Sequence, residues 1–257
     1  MFIDQKYLQK EMLEFTDYAV QDMVNMMQKR RDPMAKRSGY NPNGSLSLSY
    51  DPPKEEDDTI KTANPTGGKT YEPSKQLKGE DITSKEPSIL YQKKQPQQAK
   101  FEYESCAASS ERFTEELAER CSKDPKLDVT FLYNTRVKGA TTSATSEKQQ
   151  RVTQLQTNRG VVEVGDAQVL VAAGAWTPHI CALMGLYAPV YPLKGYAMSI
   201  SAKEVLSSTN LKAEDLPTRI VSDKYMYTSR LGDEIRITSI GEFSGWSTKP
   251  TPEGERE

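Results

Sequence analysis

The segment Asp166–Tyr196, DAQVLVAAGAWTPHICALMGLYAPVYPLKGY, contains the pattern that decides the expected fold. It opens with an unbroken apolar run from Val169 to Ala173. Such a run is typical of a strand buried on both faces of a parallel sheet, although a buried helix segment can have the same pattern. Gly174 ends the run, and because it has no Cβ it lets another backbone or a flat ligand approach closely.

A short helix is predicted directly after this glycine. Thr177 and Pro178 have the residue types of a helix start, a hydroxyl N-cap followed by proline at the first helical position. Gly185 stands where a glycine commonly ends a helix. A strand, a corner of small residues and a helix N-terminus together form the arrangement with which α/β proteins bind an anionic cofactor.

The stretch VLVAAGAWTPHICALMGLYAPVYPLKGY resembles the second flavin-contacting segment of the FAD-dependent amino-acid oxidase superfamily, and most of all its D-amino-acid dehydrogenases of the small-subunit type. That group has a hydrophobic strand ending in Ala/Thr-Gly-Ala, an aromatic residue, a short helix and Pro-Val-x-Pro-Leu-Lys/Arg-Gly-Tyr. The resemblance covers roughly Phe101 to Trp246 and, less closely, Asn41 to Ser49. It implies FAD as the cofactor. The implied fold class is α/β and α+β, an incomplete FAD-binding Rossmann-like layer joined to part of an antiparallel substrate-domain sheet.

The resemblance also implies residues that contact the cofactor. Val137 matches a valine whose backbone contacts the adenine end of FAD, although the residues alone fit an ordinary strand position equally well. Ala173, Gly174 and Trp176 lie where the second segment meets the flavin. We therefore expect these four residues to bind the cofactor.

An amino-acid substrate needs a clamp for its carboxylate, typically arginine with tyrosine, because the planar guanidinium can hold both oxygens. The candidates here are Tyr225, Tyr227 and Arg230. An exposed pair of strands explains each of the three equally well. No catalytic residue is assigned, because the flavin accepts hydride from the substrate and the protein supplies binding, orientation and electrostatics.

Two features of the family pattern are missing from this sequence. No Gly-x-Gly-x-x-Gly turn follows an apolar strand, and the glycine-rich segment near the end of family members does not occur. Relatives also commonly have glycines where this chain has Thr238 and Ser239. We therefore expect an interior piece of a flavoenzyme sequence that is inactive alone, and whether Met1 is the true start stays open.

The implied activity is oxidation of the C–N bond of a D-amino acid or related amine by hydride transfer to flavin. The alternative is a truncated, non-catalytic remnant or partner-binding chain that cannot hold FAD alone. The electron acceptor, and with it the distinction between an oxidase and a dehydrogenase, stays open at this stage. So do the exact substrate and the oligomeric state.

Composition narrows the classes of protein to which this chain can belong. The hydrophobic fraction of 36%, the charged fraction of 27% and the mean hydropathy of −0.71 predict that part of the 257 residues cannot bury a core. A net charge of −2 and a pI near 5.7 give no basic surface for nucleic acid. The sequence has no apolar run that predicts a membrane span and no secretory signal at its amino terminus. We expect a cytoplasmic protein, unless a targeting peptide precedes Met1.

The cysteines and the histidine argue against metal and disulfide chemistry. Cys106, Cys121 and Cys181 are far apart and include no Cys-x-x-Cys pair, which favours reduced thiols. His179 is the single histidine and lacks the partners that a metal ligand set needs. We predict no metal site.

The order of patterns suggests four regions. Residues 1–50 contain an N-terminal helix, from Asp4 to about Arg31, and the first substrate-domain strand. Residues 51–100 are a low-complexity, largely irregular insert rich in charge, proline and glycine. Residues 101–188 form a partial FAD-binding domain, and residues 189–257 a partial substrate domain.

Several elements are predicted within these regions. Ser109 or Ser110 caps a helix that buries Phe113, Leu117 and Cys121. Predicted strands and a loop follow, at Val129–Tyr133 (strand), 139–150 (surface loop), Val152–Thr157 with Val161–Val164 (hairpin), Tyr196–Ser201 (strand), and Tyr225–Arg230 with Glu234–Gly241 (antiparallel pair).

Overall fold

The computed structural model describes residues 14, 18–19, 21–29, 33–51, 74–103, 105–146, 149–223 and 225–250. Among the described residues, no helix has the length and apolar character needed to cross a lipid bilayer. The α-helices with assigned bounds are Pro33–Arg37 (α1), Glu80–Lys85 (α2), Ser110–Lys123 (α3), Thr177–Ala182 (α4) and Ala202–Ser208 (α5). Shorter helical turns span Asn25–Lys29, Pro87–Tyr91, Gly174–Trp176 and Ala213–Asp215.

The strands form two sheets, which confirms the mixed fold class. The strands are Ser45–Ser49 (β1), Lys75–Lys78 (β2), Gln98–Glu102 (β3), Val137–Ser146 (β4), Gln149–Thr157 (β5), Gly160–Glu163 (β6), Lys194–Ser201 (β7), Ile220–Ser222 (β8), Tyr227–Leu231 (β9) and Glu234–Glu242 (β10). The larger sheet has seven strands in the order β2-β3-β1-β8-β9-β10-β7, and the smaller has three in the order β4-β5-β6. Strand β1 pairs antiparallel with β3 and parallel with β8, so the larger sheet is mixed.

The chain divides into two compact units. The first unit is Met1–Asp124 with Ala197–Ile240, and the second is Pro125–Tyr196 with Gly241–Glu257. The boundary expected at residue 101 does not coincide with this division, because residues 101–124 belong to the first unit. Residues 189–257, expected as one partial domain, are shared between the two units.

The core of the first unit lies on one face of the seven-stranded sheet. Leu46 and Leu48 project from β1, an interior strand of the sheet, and both are almost fully buried. Their partners in the adjacent strand β3 are Phe101 and Ala99, respectively. The rest of this cluster is Leu77, Ile82, Ile89 and Val221. Full burial of each large apolar side chain contributes about 1.5–3 kcal/mol, so this cluster is a main source of stability for the sheet.

A second, smaller cluster covers the same face further along the sheet. Ile235 of β10 packs with Ala202 and Leu216, and Val205 and Leu206 of α5 lie against them. The predicted strand at 196–201 therefore forms, as part of β7, and α5 follows it directly.

Residues 74–100 correct the expectation of an irregular insert over 51–100. They form β2, α2, the turn Pro87–Tyr91 and most of β3. The segment has few large apolar residues, but Leu77, Ile82 and Ile89 are each buried against β1 and β3. The neighbouring strands supply the apolar surface that the segment lacks, which composition alone does not reveal. Residues 52–73 lie outside the described residues.

Glu86 is a carboxylate with no exposed surface that joins two distant parts of the first unit. Its Oε2 accepts hydrogen bonds from Thr218 N–H at 3.1 Å, from the Thr218 hydroxyl at 2.6 Å and from Arg219 Nε at 3.2 Å. Its Oε1 accepts a hydrogen bond from the Ser88 hydroxyl at 2.6 Å. The loop before β8 is thereby fixed to the turn after α2, because a buried charge is tolerated only when its hydrogen bonds are satisfied.

Helix α3 forms as expected but buries a different face. The Ser109 hydroxyl accepts a hydrogen bond from Arg112 N–H at 3.4 Å, which confirms the predicted cap. The buried side chain is Glu116, ion-paired with Arg37 of α1, whereas Leu117 is 39% exposed. The expectation that Leu117 is buried is therefore wrong. The ion pair with Arg37 turns the Glu116 side of α3 towards α1, and Leu117 lies on a more exposed side of the helix.

Two strands predicted in the second unit are absent. Neither Val129–Tyr133 nor Val169–Ala173 belongs to a sheet, and Leu132 and Leu170 are 56% and 89% exposed. The expectation of a buried strand at Val169–Ala173 is wrong for this structure. A parallel strand forms only where other strands and covering helices flank it, and among the described residues no strand pairs with this segment.

The small sheet of the second unit is built from hairpins. Strands β5 and β6 form the predicted hairpin, with Thr157 paired to Gly160. The expected surface loop at 139–150 instead lies largely within β4 and the start of β5, which pair antiparallel.

Two further predictions concern the rest of the chain. In the larger sheet, the antiparallel pair predicted before residue 241 forms as β9 and β10. Most of the N-terminal helix expected from Asp4 lies outside the described residues.

We expect Glu86→Ala to lower the free energy of unfolding by about 3 kcal/mol or more. The substitution leaves the nearly buried Arg219 guanidinium without its carboxylate and removes the acceptor of the Thr218 groups. Urea unfolding followed by circular dichroism measures the change. Glu115→Ala, at an exposed position of α3, is the matched control and should change stability by less than about 0.5 kcal/mol. Equal effects of the two substitutions would contradict the role of Glu86.

We also expect Gly39→Ala to destabilise the first unit more than Gly79→Ala. Both glycines have a positive φ, of 64° and 55°, which costs a residue with a Cβ about 1–2 kcal/mol. A Cβ on Gly39 would lie 2.6 Å from the carbonyl carbon of Leu231, whereas a Cβ on Gly79 would meet no atom within 4 Å. The clash should add about 1–3 kcal/mol for Gly39→Ala in urea unfolding. Equal losses would show that α1 does not pack tightly on the end of β9.

Candidate functional site

The predicted flavin corner forms a turn rather than the end of a strand. Ala173 precedes the helical turn Gly174–Trp176, and Trp176 N–H donates a hydrogen bond to the Ala173 carbonyl at 3.0 Å. Helix α4 follows directly, with its proline in the first turn as the sequence predicts. The predicted hydroxyl cap at Thr177 is wrong, because Thr177 is the first helical residue, Trp176 stands at the cap position and no side chain caps the helix. The small residues therefore lie at the predicted helix start, on an exposed part of the second unit.

Gly174 is glycine for a conformational reason. Its φ of 53° lies in the left-handed region, which residues with a Cβ rarely adopt. A Cβ placed on it would meet no heavy atom within 4 Å, so the space above its backbone is open. The turn can be approached by a flat group, but the described residues do not enclose that space.

Trp246 makes two aromatic contacts, one of them with Trp176. The Trp176 ring lies 6.3 Å from the ring of Trp246, and the His179 ring meets Trp246 edge-on at 4.3 Å. Trp176 is nevertheless 57% exposed. The sequence prediction included Trp176 but not Trp246, because no pattern in the sequence links residues 70 positions apart. His179 contacts Trp246 and was missed for the same reason.

Val137 lies elsewhere in the second unit. It is the first residue of β4, is partly buried and pairs with Thr157 of β5. The residue before it, Arg136, donates its N–H to Asn158 Oδ1 at 2.6 Å, which fixes the start of the strand to the β5–β6 turn. The sheet position accounts for a valine here, and its contact with adenine stays a prediction.

An ion-paired cluster that the sequence prediction missed lies at the end of the Pro-Leu-Lys-Gly-Tyr motif. Lys194 forms an ion pair with Glu242 and donates a hydrogen bond to the Lys249 carbonyl at 2.8 Å. The Tyr196 hydroxyl donates to Glu242 Oε1 at 3.0 Å. The hydrogen bond to Glu242 raises the pKa of Lys194. The Pro-Leu-Lys-Gly-Tyr motif was the sequence signal that could have pointed to this cluster. In the structure its lysine and its tyrosine both contact the carboxylate of Glu242.

The three predicted substrate residues do not converge. Tyr227 and Arg230 are three positions apart on β9, and because side chains alternate along a strand they project to opposite faces of the sheet. Tyr225 precedes the strand, in a turn where its N–H donates to Asp223 Oδ1 at 2.8 Å. The structure therefore does not bring Tyr227 and Arg230 together as one clamp.

Arg230 lies on the face that carries the apolar core. Its cross-strand partner is Ile235, which is buried beneath α5, and its Nε donates a hydrogen bond to the Gly232 carbonyl at 3.1 Å. Tyr227 faces the other way, opposite Thr238, and is 57% exposed.

The described residues do not form a complete site for FAD. Helix α4 is only six residues long, and the open turn at Gly174 is flanked by exposed side chains such as Leu170 and Trp176. The diphosphate of FAD needs several backbone N–H donors when it leaves water, and the sequence contains no glycine-rich turn that would supply them. The described residues present an open turn at Gly174 and do not include a glycine-rich turn that would hold the diphosphate.

Two further features of the described residues bear on ligand binding, the side chains available as metal ligands and one surface concavity. Among the described residues, no group of three or more histidine, cysteine or acidic side chains could hold a metal ion. A concavity of about 220 Å³ is lined by Lys75, Leu77, Asp81, Ser84, Lys85, Phe101 and Tyr103. It is smaller than typical ligand pockets of about 300–1,000 Å³ and contains none of the predicted site residues.

Known proteins resemble this chain in sequence and in fold. A D-amino acid dehydrogenase of Bradyrhizobium diazoefficiens is 31% identical over 137 residues, which are 53% of this chain and 29% of that protein. Glycine oxidase from Geobacillus kaustophilus superposes with a TM-score of 0.61 at 18% identity, over 90% of this chain and 57% of that chain. L-amino acid deaminase from Proteus vulgaris gives 0.62 at 15% identity, over 92% and 49%.

The structural likeness at these identities concerns the fold alone, and the chain spans well under two thirds of the length of each of these proteins. The family model described as FAD dependent oxidoreductase matches residues 4–257, which is almost the whole sequence. This chain therefore belongs to the family of FAD-dependent oxidoreductases that includes the D-amino acid dehydrogenases.

Proposed function

We propose that this chain carries the substrate-side sheet and one wall of the flavin site of an enzyme that oxidises the C–N bond of a D-amino acid. The observation that carries the proposal is the seven-stranded mixed sheet, which forms with its own core in a chain whose family model matches residues 4–257. The flavin supplies the hydride acceptor in this family. The chain's own contribution is to bind and orient the substrate.

The D-amino acid is proposed from the curated relatives. Several of them are D-amino acid dehydrogenases at about 30–33% identity over roughly half of this chain. The structural neighbours act on other amino acids, among them glycine and L-amino acids according to their names. An amino acid or a related amine is the substrate class common to these proteins, and the D configuration is the finer part of the proposal.

A second candidate function is that of a partner-binding chain without catalysis of its own. The second unit favours it, because Leu170 and Tyr187 are 89% and 90% exposed and Leu186 is 60% exposed. Large apolar side chains in water are a feature of interaction surfaces when they lie together. This alternative agrees with the incomplete site for FAD described above.

For the compartment, we propose the cytoplasm. Cys106, Cys121 and Cys181 all lie in the described part of the chain, and none of them forms a disulfide. Reduced cysteines are typical of proteins in a reducing compartment. No feature of the described residues identifies the electron acceptor.

We expect the 257-residue chain, purified as it stands, not to retain FAD. One helix end contributes about 1 kcal/mol towards binding a phosphate group at an exposed site. A micromolar complex requires roughly 8 kcal/mol. After removal of free flavin on a desalting column, the visible spectrum should show no flavin bands. A yellow protein with stoichiometric FAD that oxidises D-amino acids would contradict the conclusion that donors for the diphosphate are missing.

A further inference from the structure

The concavity of about 220 Å³ in the first unit lies where α2 meets the β2 edge of the seven-stranded sheet. Lys75 and Leu77 are two positions apart in β2, so their side chains project to the same face of the sheet. Lys75 pairs with Phe101 of β3, which places the phenylalanine on that face as well. Leu77 and Phe101 are both buried, so this is the face that carries the core. The sheet forms the floor of the concavity, and α2 forms one wall.

Two ammonium groups line this concavity, Lys75 from the strand and Lys85 from the last residue of α2. In the part of the chain that the structure describes, neither lysine forms an ion pair. Lys100, on the neighbouring strand, is by contrast paired with Glu102 at 2.8 Å. The hydroxyl of Ser84 lines the same wall as Lys85. One small concavity therefore has two cationic donors, from different elements, that no protein carboxylate occupies.

Aromatic rings position one of these two cations. The Nζ of Lys85 lies 4.1 Å from the centroid of the Phe101 ring and 5.7 Å from that of the Tyr103 ring. The two rings meet edge to face, with centroids 4.7 Å apart. A cation is attracted to an aromatic face, but the rings provide no oxygen acceptor for the three N–H groups of the ammonium. Lys85 is thus a positioned charge with donors left for a ligand, and Tyr103, 41% exposed, offers an apolar surface beside it.

The residue types in the lining determine which class of ligand fits. Asp81 is the one carboxylate, so the lining has one more positive than negative charge and favours an anion. Asp81 lies in the first turn of α2, where a carboxylate stabilises a helix. None of the described residues that line the concavity is an arginine, so the planar fork that holds both oxygens of a carboxylate is missing. Lysine is a point charge that commonly binds phosphate, whose oxygens can face two ammonium groups at once.

We propose that this concavity binds a small phosphate monoester with a flat, apolar ester group. The phosphate lies between Lys75 and Lys85, and the flat group lies against Tyr103. The volume is below the about 300–1,000 Å³ of typical ligand pockets, which limits the ester group to about one ring. None of the residues predicted to contact flavin or substrate lines the concavity, so this site is separate from the proposed function. A ligand held between β2 and α2 also stabilises the first unit, because it binds the folded chain and not the unfolded one.

The test is a protein-detected NMR titration of the 257-residue chain with phenyl phosphate. Methyl phosphate, which lacks the ring, and benzyl alcohol, which lacks the charge, are the matched ligands. Phenyl phosphate should bind about threefold more tightly than methyl phosphate, because of the contact with Tyr103. It should bind at least about tenfold more tightly than benzyl alcohol, because of the charged hydrogen bonds. The amide shifts should be centred on Leu77, Ser84 and Phe101. Equal affinity for phenyl phosphate and benzyl alcohol, or shifts centred elsewhere, would overturn the site.

Substitutions in the lining should change the affinity for phenyl phosphate in opposite directions. Lys85→Met should weaken binding about tenfold and Lys75→Met about fivefold, because each removes one charged donor. Lys85→Arg should weaken it less than about threefold, since it keeps the charge. Asp81→Asn should strengthen it about threefold, because it removes a like charge beside the phosphate. Weaker binding in Asp81→Asn would contradict the proposed position of the phosphate.

Lys78→Met is the matched control. Lys78 lies on the same strand as Lys75, but it projects to the opposite face and does not line the concavity. Its loss should change the affinity for phenyl phosphate less than about twofold. Equal losses in Lys78→Met and Lys75→Met would show attraction to the general charge of this surface and would overturn the site. Without ligand, Lys75→Met and wild type should have the same midpoint in urea unfolding, since the Lys75 side chain is exposed and unpaired among the described residues.

Discussion

The parallel pairing of β1 with β8 is the constraint on which the larger sheet depends. It places Ser45–Ser47 beside Ile220–Ser222, so two segments far apart in sequence form the centre of one sheet. The buried carboxylate of Glu86 fixes the same junction from the side, through Thr218 and Arg219 immediately before β8. Pairing β1 with β8 closes a long loop, and closing a loop lowers the conformational entropy of the chain. The hydrogen bonds and buried side chains at this junction offset that loss.

The division of side chains between the two faces of the larger sheet follows from that constraint. Leu46 and Leu48 point towards the core, so the alternate residues of β1 and of its neighbours must point away from it. The register then determines which polar residues share a row, and it places Arg236 and not Arg230 next to Tyr227. A change of one residue in the register of β9 against β10 would exchange these two sets.

Elements whose signals are local could be predicted from the sequence. The Ser109 cap, the β5–β6 hairpin, the β9–β10 pair and the alternation in β1 all depend on residues within a few positions of one another. The segment Val169–Ala173 could not be judged in the same way, because a buried strand is defined by neighbours from elsewhere in the fold. Glu116 was missed for a similar reason, since its partner Arg37 comes from another helix.

The site shows the same division. The turn at Gly174 and the helix start at Thr177 follow from the local residues, whereas the separation of Tyr227 from Arg230 is seen only from the strand pairing. Side chains three positions apart in a strand point to opposite faces of the sheet. The sequence prediction chose arginines and tyrosines by their closeness in sequence and did not take this alternation into account. The flavin-contacting role of Val137 depends on a ligand contact and stays a prediction.

Amide hydrogen exchange of the 257-residue chain gives the most direct test of the account. It shows whether the seven-stranded sheet is the stable part of the chain and whether the segment Val169–Ala173 is exposed. Leu46, Leu48 and Phe101 lie in paired strands, and their amides should be protected to nearly the full free energy of unfolding. Val169 and Leu170 lie in no strand and are exposed, so their amides should exchange at close to the rate of an unfolded peptide. Protection of residues 169–173 equal to that of β1 would show a paired, buried strand there and would contradict the structure described.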